Sequence, residues 1–251
     1  MGVADRTPPD GAAPDRAWPA GWHVTHVPTT GSTNDDLLEA AATGAPDRSV
    51  LVADHQTAGR GRLDRRWEAP PGVNLLVSIL FRTVPSPASI LTQRMGLAAI
   101  DACRATAGVG AVLKWPNDLL ADERKLAGIL AQRAADGSIV VGLGLNVGWA
   151  PDGAVSVHSA VGSGARPGPL DVLVELLTAF DALPADIGDR YRGALATLGR
   201  RVEVQVPGGR IEGRAVDIAG DGRLVVVDTC GLTHRLDVGD VVHVRDAGPP
   251  A

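Results

Sequence analysis

Apolar and polar positions follow two different rhythms along the chain, and the change falls near Gly199. Before it, strand-like and helix-like patterns mix. Residues 23–27 (HVTHV) alternate as a half-buried strand does. Ser32 or Thr33 then stands where a helix cap belongs. Asp35 and Asp36 follow in the first turn, and Leu37, Leu38 and Ala41 supply the apolar face. Residues 49–53 (SVLVA) and 73–81 (VNLLVSILF) read as buried strands, separated by a polar loop. Residues 88–107 have helical spacing. Residues 111–115 read as a short strand, 117–126 as a turn-rich connection, and 126–133 and 138–147 as two more strands. Residues 170–183 and about 186–198 read as helices.

From Val202 the runs shorten and turn signals recur about every ten residues, at Pro207-Gly-Gly209, Gly220-Asp-Gly222, Cys230-Gly231 and Gly239-Asp240. Val202, Val204 and Val206 alternate, and GRLVVVD and DVVHVR repeat the pattern. The first part lacks a regular βαβ rhythm, which predicts an α+β fold with a mixed sheet. The last part predicts a small all-β barrel. The expected organisation is a disordered Pro/Ala/Asp-rich tail at 1–20, a main domain at 21–199 and the barrel at 200–247.

Composition narrows the function. No apolar run approaches the roughly 18 residues needed to span a bilayer, and residues 1–20 lack the apolar core of a signal peptide. Cys103 and Cys230 have no metal-ligand spacing, which points to a reduced cytoplasm. With a formal charge of −5, the chain does not carry the broad positive field that nucleic-acid binding uses.

Against that acidic background, AGRGRLDRRW (58–67) gathers arginines at 60, 62, 65 and 66. Arginine forks suit carboxylates and phosphates, and Gly59 and Gly61 let a backbone approach a ligand. Rigid strands on either side would position the loop. A solvated basic loop is the competing reading. Of 24 Lys and Arg residues only Lys114 and Lys125 are lysines, within KWPNDLLADERK. A GC-biased genome that exchanges Lys for Arg would leave lysine where a compact ammonium is needed. Asn117 and Asp118 follow a Trp-Pro step, and Lys125 could return beside them; a turn and a surface charge are the plainer readings. GLGLNVG (142–148) lacks the spacing and following helix of a dinucleotide fingerprint, and reads as a glycine-bent strand ending at Asn146. The six histidines show no metal pattern.

GSTND (31–35), ADHQTAGRGRLDRRW (53–67), KWPNDLLADERKLAGIL (114–130), GLGLNV (142–147) and GDVVHVR (239–245), in this order, resemble the biotin protein ligase family. The resemblance implies a mixed-sheet catalytic domain of the biotin/lipoyl ligase type followed by an SH3-like barrel. It also implies the form without a DNA-binding domain. The implied reaction joins biotin and ATP, with Mg²⁺, into biotinyl-5′-AMP, then transfers biotin to a lysine of a biotin carboxyl carrier domain. Family members vary in oligomeric state, so a homodimer is among the implied partners; nucleic acid and membrane are not.

By position, Ser32, Thr33, Asn34, Gln56, Arg60, Gly61, Arg62, Lys125 and Gly128 match biotin-binding residues. Arg62, Arg65, Trp67, Asn117, Asp118, Lys125 and Asn146 match the surroundings of ATP, and Lys125 and Arg62 the catalytic pair. One departure stands out. Asp64 occupies a position where the family loop has glycine, and its carboxylate would pair with Arg62, Arg65 or Arg66 in the empty state. The scarcity of lysine also leaves few targets for leaked adenylate. A lipoate–protein ligase and a non-catalytic biotin sensor are the alternatives.

Overall fold

The computed structural model describes residues 16–206, 209–237 and 240–243. Its main sheet has seven strands: β1 (His23–Thr30), β2 (Ser49–Gln56), β3 (Leu75–Phe81), β4 (Val112–Lys114), β5 (Asp118–Ala121), β6 (Arg124–Arg133) and β7 (Ile139–Leu145). They lie in the order β1-β2-β3-β7-β6-β5-β4. Only β1 and β2 pair in parallel, through the crossover helix α1 (Thr33–Ala42); every other neighbouring pair is antiparallel. The mixed sheet expected from the sequence is therefore present.

Strand alternation sorts side chains onto two faces. Leu75, Val77, Ile79 and Phe81 point into the larger core, where α2 (Ser89–Ala107) and α4 (Pro169–Ala182) pack. Leu80 and Val140 point to the other face, under Leu37 and Ala41 of α1. Ser78 in β3 and Gly142 and Gly144 in β7 alternate onto this second face, beyond the N-terminal end of α1. Small and polar residues there leave the sheet uncovered, and that gap becomes the cavity described below.

Three local readings need correction. The stretch 117–126 is not simply a turn: it holds β5 and the start of β6, joined by Asp122 and Glu123, both with positive φ (50° and 60°). That geometry matches the two-residue hairpin turn that twists with its strands. The helix expected over 186–198 stops early, as α5 (Gly188–Ala194). Strand β4 captures the chain beyond it, with Ala196 donating to the Leu113 carbonyl at 2.8 Å and Thr197 Oγ1 accepting from the Trp115 N–H. A short helix, α3 (Val157–Ala160), was not expected. It is held by a reciprocal cap between Ser156 and Ser159.

The remaining strands, β8 (Arg201–Val206), β9 (Gly209–Ile218), β10 (Leu224–Asp228), β11 (Thr233–Leu236) and β12 (Asp240–His243), form an antiparallel sheet in the order β11-β10-β9-β8-β12. The described residues show a small antiparallel sheet with β11 and β12 at its edges, without the closure of a barrel. Its apolar face joins the main core through Val202, Val204, Leu224 and Val226. Trp115 Nε1 donates to the Gly222 carbonyl at 3.2 Å, and Ser89 Oγ to that of Asp221 at 3.1 Å. Of the expected tail, residues 1–15 lie outside the described residues. Residues 16–20 are docked instead: Arg16 pairs with Asp171 at 2.7 Å, and Trp18 packs on the core. No helix among the described residues is long and apolar enough to cross a membrane.

Candidate functional site

A cavity of about 260 Å³ opens on the α1 face of the main sheet. Its floor is polar and buried. Ser32 stands at the N-cap of α1 without a side-chain cap bond, so its hydroxyl is not spent on the helix. Thr33 accepts that role no more than Ser32 does. Its backbone N–H donates to Gln56 Oε1 at 2.8 Å, and its hydroxyl lies 2.7 Å from Ser78 Oγ. Ser78 in turn donates to Asn34 Oδ1 at 2.6 Å. Gly142 makes room for this: a Cβ on it would lie 2.2 Å from Asn34 Oδ1.

One wall is the arginine loop. The chain folds back on itself, with Gly61 N–H donating to the Arg65 carbonyl at 2.7 Å and Trp67 N–H to that of Gly59 at 3.0 Å. Gly59 is required by packing, since a Cβ there would meet the Trp67 carbonyl at 2.4 Å. Gly61 is not, because the nearest atom to its Cβ position is 3.5 Å away. Leu63 takes the left-handed conformation in this loop, with φ 56° and ψ 40°. The Asp64 side chain, whose pairing the sequence reading anticipates, lies outside the described residues. Arg60 pairs with Asp35 across the mouth, Arg66 with Glu68 at 3.5 Å, and Arg62 Nη1 donates to Asn117 Oδ1 at 3.2 Å.

The opposite wall is the β5–β6 hairpin. Asp118 faces Gly128 directly, and Leu120 faces Lys125, so Leu126 is an extra residue in β6. Without that bulge, strand alternation would turn Lys125 away from the Gly128 face. With it, Lys125 Nζ reaches Asp118 Oδ1 at 2.7 Å and lies 5.6 Å from the centre of the Trp67 ring. Trp67 rests on the glycine track of β6 and β7: a Cβ on Gly144 would lie 2.4 Å from the indole, and one on Gly128 would lie 3.1 Å away. The indole N–H is buried with no hydrogen-bond partner among the described residues. Asn117 is fixed by its own bond to the Ile129 carbonyl at 2.9 Å. Asn146 spends its amide on the Val155 carbonyl at 3.1 Å, securing the loop that follows β7.

The fourteen residues singled out from the sequence thus all border this one cavity. The arrangement combines an uncharged polar floor with converging cations, and so suits a neutral polar ring carrying an acid group, next to a polyanion. Sequence reading missed Ser78, Gly142 and Gly144 as cavity residues. Ser78 had one visible signal, a lone hydroxyl inside LLVSILF. Among the described residues no group of three or more His, Cys, Asp or Glu is arranged to hold a metal.

Residues 27–148 match the biotin/lipoate A/B protein ligase family, and residues 197–244 match the biotin protein ligase C terminal domain. A biotin–[acetyl-CoA-carboxylase] ligase of Mycobacterium tuberculosis is 40% identical over 248 residues, covering 90% of this chain and 91% of that protein. The chain belongs to the biotin protein ligase family. Among solved structures, the biotin protein ligase of Aquifex aeolicus in complex with biotin and ATP superposes with a TM-score of 0.75. It is 24% identical, covering 89% of this chain and 99% of that one. The biotin protein ligase of Leishmania major in complex with biotinyl-5-AMP gives a TM-score of 0.63 at 22% identity, over 86% of this chain and 99% of that one. At these identities the two structures establish the shared fold.

Proposed function

We propose that the protein is an ATP-dependent biotin protein ligase that forms biotinyl-5′-AMP and transfers biotin to a lysine of a biotin carboxyl carrier domain. One observation carries the reading: Lys125 lies where the polar floor, the arginine loop and the Asn117–Asp118 turn meet around a single cavity.

In this reading Ser32, Thr33, Asn34 and Gln56 take the ureido ring, and Gly128 lets the bicyclic ring lie against β6. Arg60, Gly61 and Arg62 close over the acid end. Arg62, Arg65, Trp67, Asn117, Asp118 and Asn146 surround the nucleotide. A carboxylate oxygen of biotin attacks the α-phosphorus of ATP, the bond to the β-phosphate oxygen breaks, and pyrophosphate leaves. Both reactants are anions, so the barrier is set by bringing them together and by the charge that grows on the α-phosphate oxygens. Lys125 and Arg62 supply fixed positive charge at that point, and the closed loop keeps water from the mixed anhydride. The acceptor amine then attacks the acyl carbon, and AMP leaves.

The donor set fits Mg²⁺ only as an ion carried largely by the phosphates, because Asp118 is the carboxylate at the inner wall and already holds Lys125. When bound, Mg²⁺ would neutralise phosphate charge. Asp118 would hold it, with Asn117 beside it.

The match at residues 197–244 supports reading the C-terminal sheet as an SH3-like barrel, with domains at 21–199 and 200–247. The unbridged cysteines, one buried and one exposed, support a cytoplasmic location. A homodimer is included in the proposal and is checked by sedimentation.

Biotin-dependent ATP–pyrophosphate exchange tests the function without an acceptor, with lipoate as control. Exchange with biotin alone is expected. Exchange with lipoate alone would move the protein to lipoate ligation, and exchange with neither in folded protein would remove the catalytic reading.

A further inference from the structure

Gln132, on β6, does not border the cavity, yet it contacts a residue that does. Asn34 Nδ2 donates to Gln132 Oε1 at 2.7 Å and to the Leu130 carbonyl at 3.3 Å. A backbone carbonyl can only accept, so the Asn34 atom facing it is the amino group. The same amino group meets Gln132, whose facing atom must therefore be its carbonyl oxygen. Asn34 Oδ1 is then turned to Ser78, 2.6 Å away, and only the Ser78 hydroxyl can supply that proton.

The consequence runs one bond further. Thr33 Oγ1 lies 2.7 Å from Ser78 Oγ and 3.0 Å from Gln56 Oε1. The Ser78 proton is committed to Asn34, so the single Thr33 proton is spent inside the wall, on Ser78 Oγ or on Gln56 Oε1. Gln56 Oε1 accepts from the Thr33 backbone N–H at 2.8 Å and can accept from the Thr33 hydroxyl at 3.0 Å. The chain of protons thus runs one way from Ser78 through Asn34 to Gln132, and the Thr33 proton also stays within the wall. What remains for a ligand on this wall is lone pairs on Thr33, Ser78 and Asn34. The donors are the Gln56 amino group, because its carbonyl is taken, and the Ser32 hydroxyl, which no cap bond uses.

We infer that Gln132 is a positioning residue that sets the hydrogen-bond polarity of the floor. It holds the wall as an acceptor surface selective for a ligand ring that presents N–H donors. The inference rests on the biotin-ligase reading, in which that ring is a cyclic urea. Gln132 acts through Asn34 and touches no reacting atom. A donor-only side chain at 132 would oppose the Asn34 amino group, and turning the amide over would set Asn34 Oδ1 against the Leu130 carbonyl. The network has no relaxed alternative.

The test compares Gln132→Glu, which keeps the acceptor, with Gln132→Met and Gln132→Lys, which remove it. Biotin binding is measured by titration calorimetry, with KM for ATP and thermal melts alongside. A second ligand, a cyclic carbamate analogue of biotin with oxygen in place of one ureido N–H, reports polarity directly. The expected result is near wild-type biotin affinity for Gln132→Glu and a loss of about tenfold or more for the other two. KM for ATP should be unchanged. The preference of wild type for the urea over the carbamate should shrink in Gln132→Lys.

Biotin affinity in Gln132→Lys equal to wild type overturns the inference. So does an equal loss in Gln132→Glu and Gln132→Met at matched melting temperature, since shape and not the acceptor would then matter. If wild type itself binds no biotin, the functional reading fails and this one falls with it.

Discussion

Replacing Lys125 separates what the residue does for the fold from what it does for the reaction. The side chains of Lys125 and Asp118 are 39% and 24% exposed, so their ion pair is partly screened. Such pairs contribute about 0–1 kcal/mol. The Trp67 ring, 5.6 Å away, adds about 0.5–1 kcal/mol. Lys125→Met should therefore lower the melting temperature by no more than about 8 °C for a chain of this size. Loss of one preorganised charge at a developing oxyanion costs far more, about 10²–10³ in rate.

Lys125→Arg makes the sharper case, because the charge is kept. The ammonium sits in a narrow place: a Cβ on Gly128 would lie 3.4 Å from Nζ and 3.1 Å from the Trp67 ring. A guanidinium is wider and engages Asp118 through two nitrogens, which draws the positive charge toward Asp118 and away from the point the ammonium occupies. Single-turnover formation of biotinyl-5′-AMP, followed by quenched flow, should fall by about 10²-fold or more in Lys125→Arg. Its melting temperature should stay close to that of wild type. A rate within about threefold of wild type would refute the requirement for an ammonium, since a displaced charge worth so little is not stabilising the transition state.

Gly144→Ala places a methyl 2.4 Å from the Trp67 indole, which must leave the glycine track; KM for biotin should rise at little change in melting temperature, and an unchanged KM would show that the track is not part of the ligand surface. Burial pushes the Cys103 thiol up to about 12, whereas Cys230 is exposed. A disulfide reagent at pH 8 should therefore titrate one thiol in native protein and two in denaturant, and two native thiols would mean that the α2 core opens readily. The Asp228 carboxyl is held below the usual carboxylate range, first by the bond from His234 and then by the Leu232 and Cys230 backbone N–H groups. A depressed carboxylate means the unfolded chain binds more protons. Its contribution is therefore full above about pH 4 and fades as pH falls further. The stability gap between wild type and Asp228→Asn should narrow between pH 5 and pH 2, and a constant gap would remove the linkage.

How much of this was legible beforehand depends on how locally each feature is encoded. The long elements were, because burial stamps periodicity on them: LLVSILF reads as a strand and 88–107 as a helix. The end of α5 was not, since Ala194–Thr197 keeps helical spacing and only the open edge of β4, eighty residues earlier, draws it away. The return of Lys125 beside Asn117 and Asp118 was legible, but the turn itself at Asp122–Glu123 was not, because Glu123 stands where such a turn prefers glycine. The site was legible as a set of residues through motif resemblance, but its construction was not. Lys125 is odd and Gly128 even, so a regular strand would have put them on opposite faces of β6. The extra residue at Leu126 joins them on one face, and a bulge of a single residue leaves no mark in the composition of RKLAGIL. Gln132 was invisible for the complementary reason. Nothing in AQR separates it from a solvent-facing strand residue, and its importance exists only once Asn34, ninety-eight positions away, is folded against it. Motifs therefore report which groups border the cavity. The register of β6, and the partners that orient those groups, appear only when the chain is assembled.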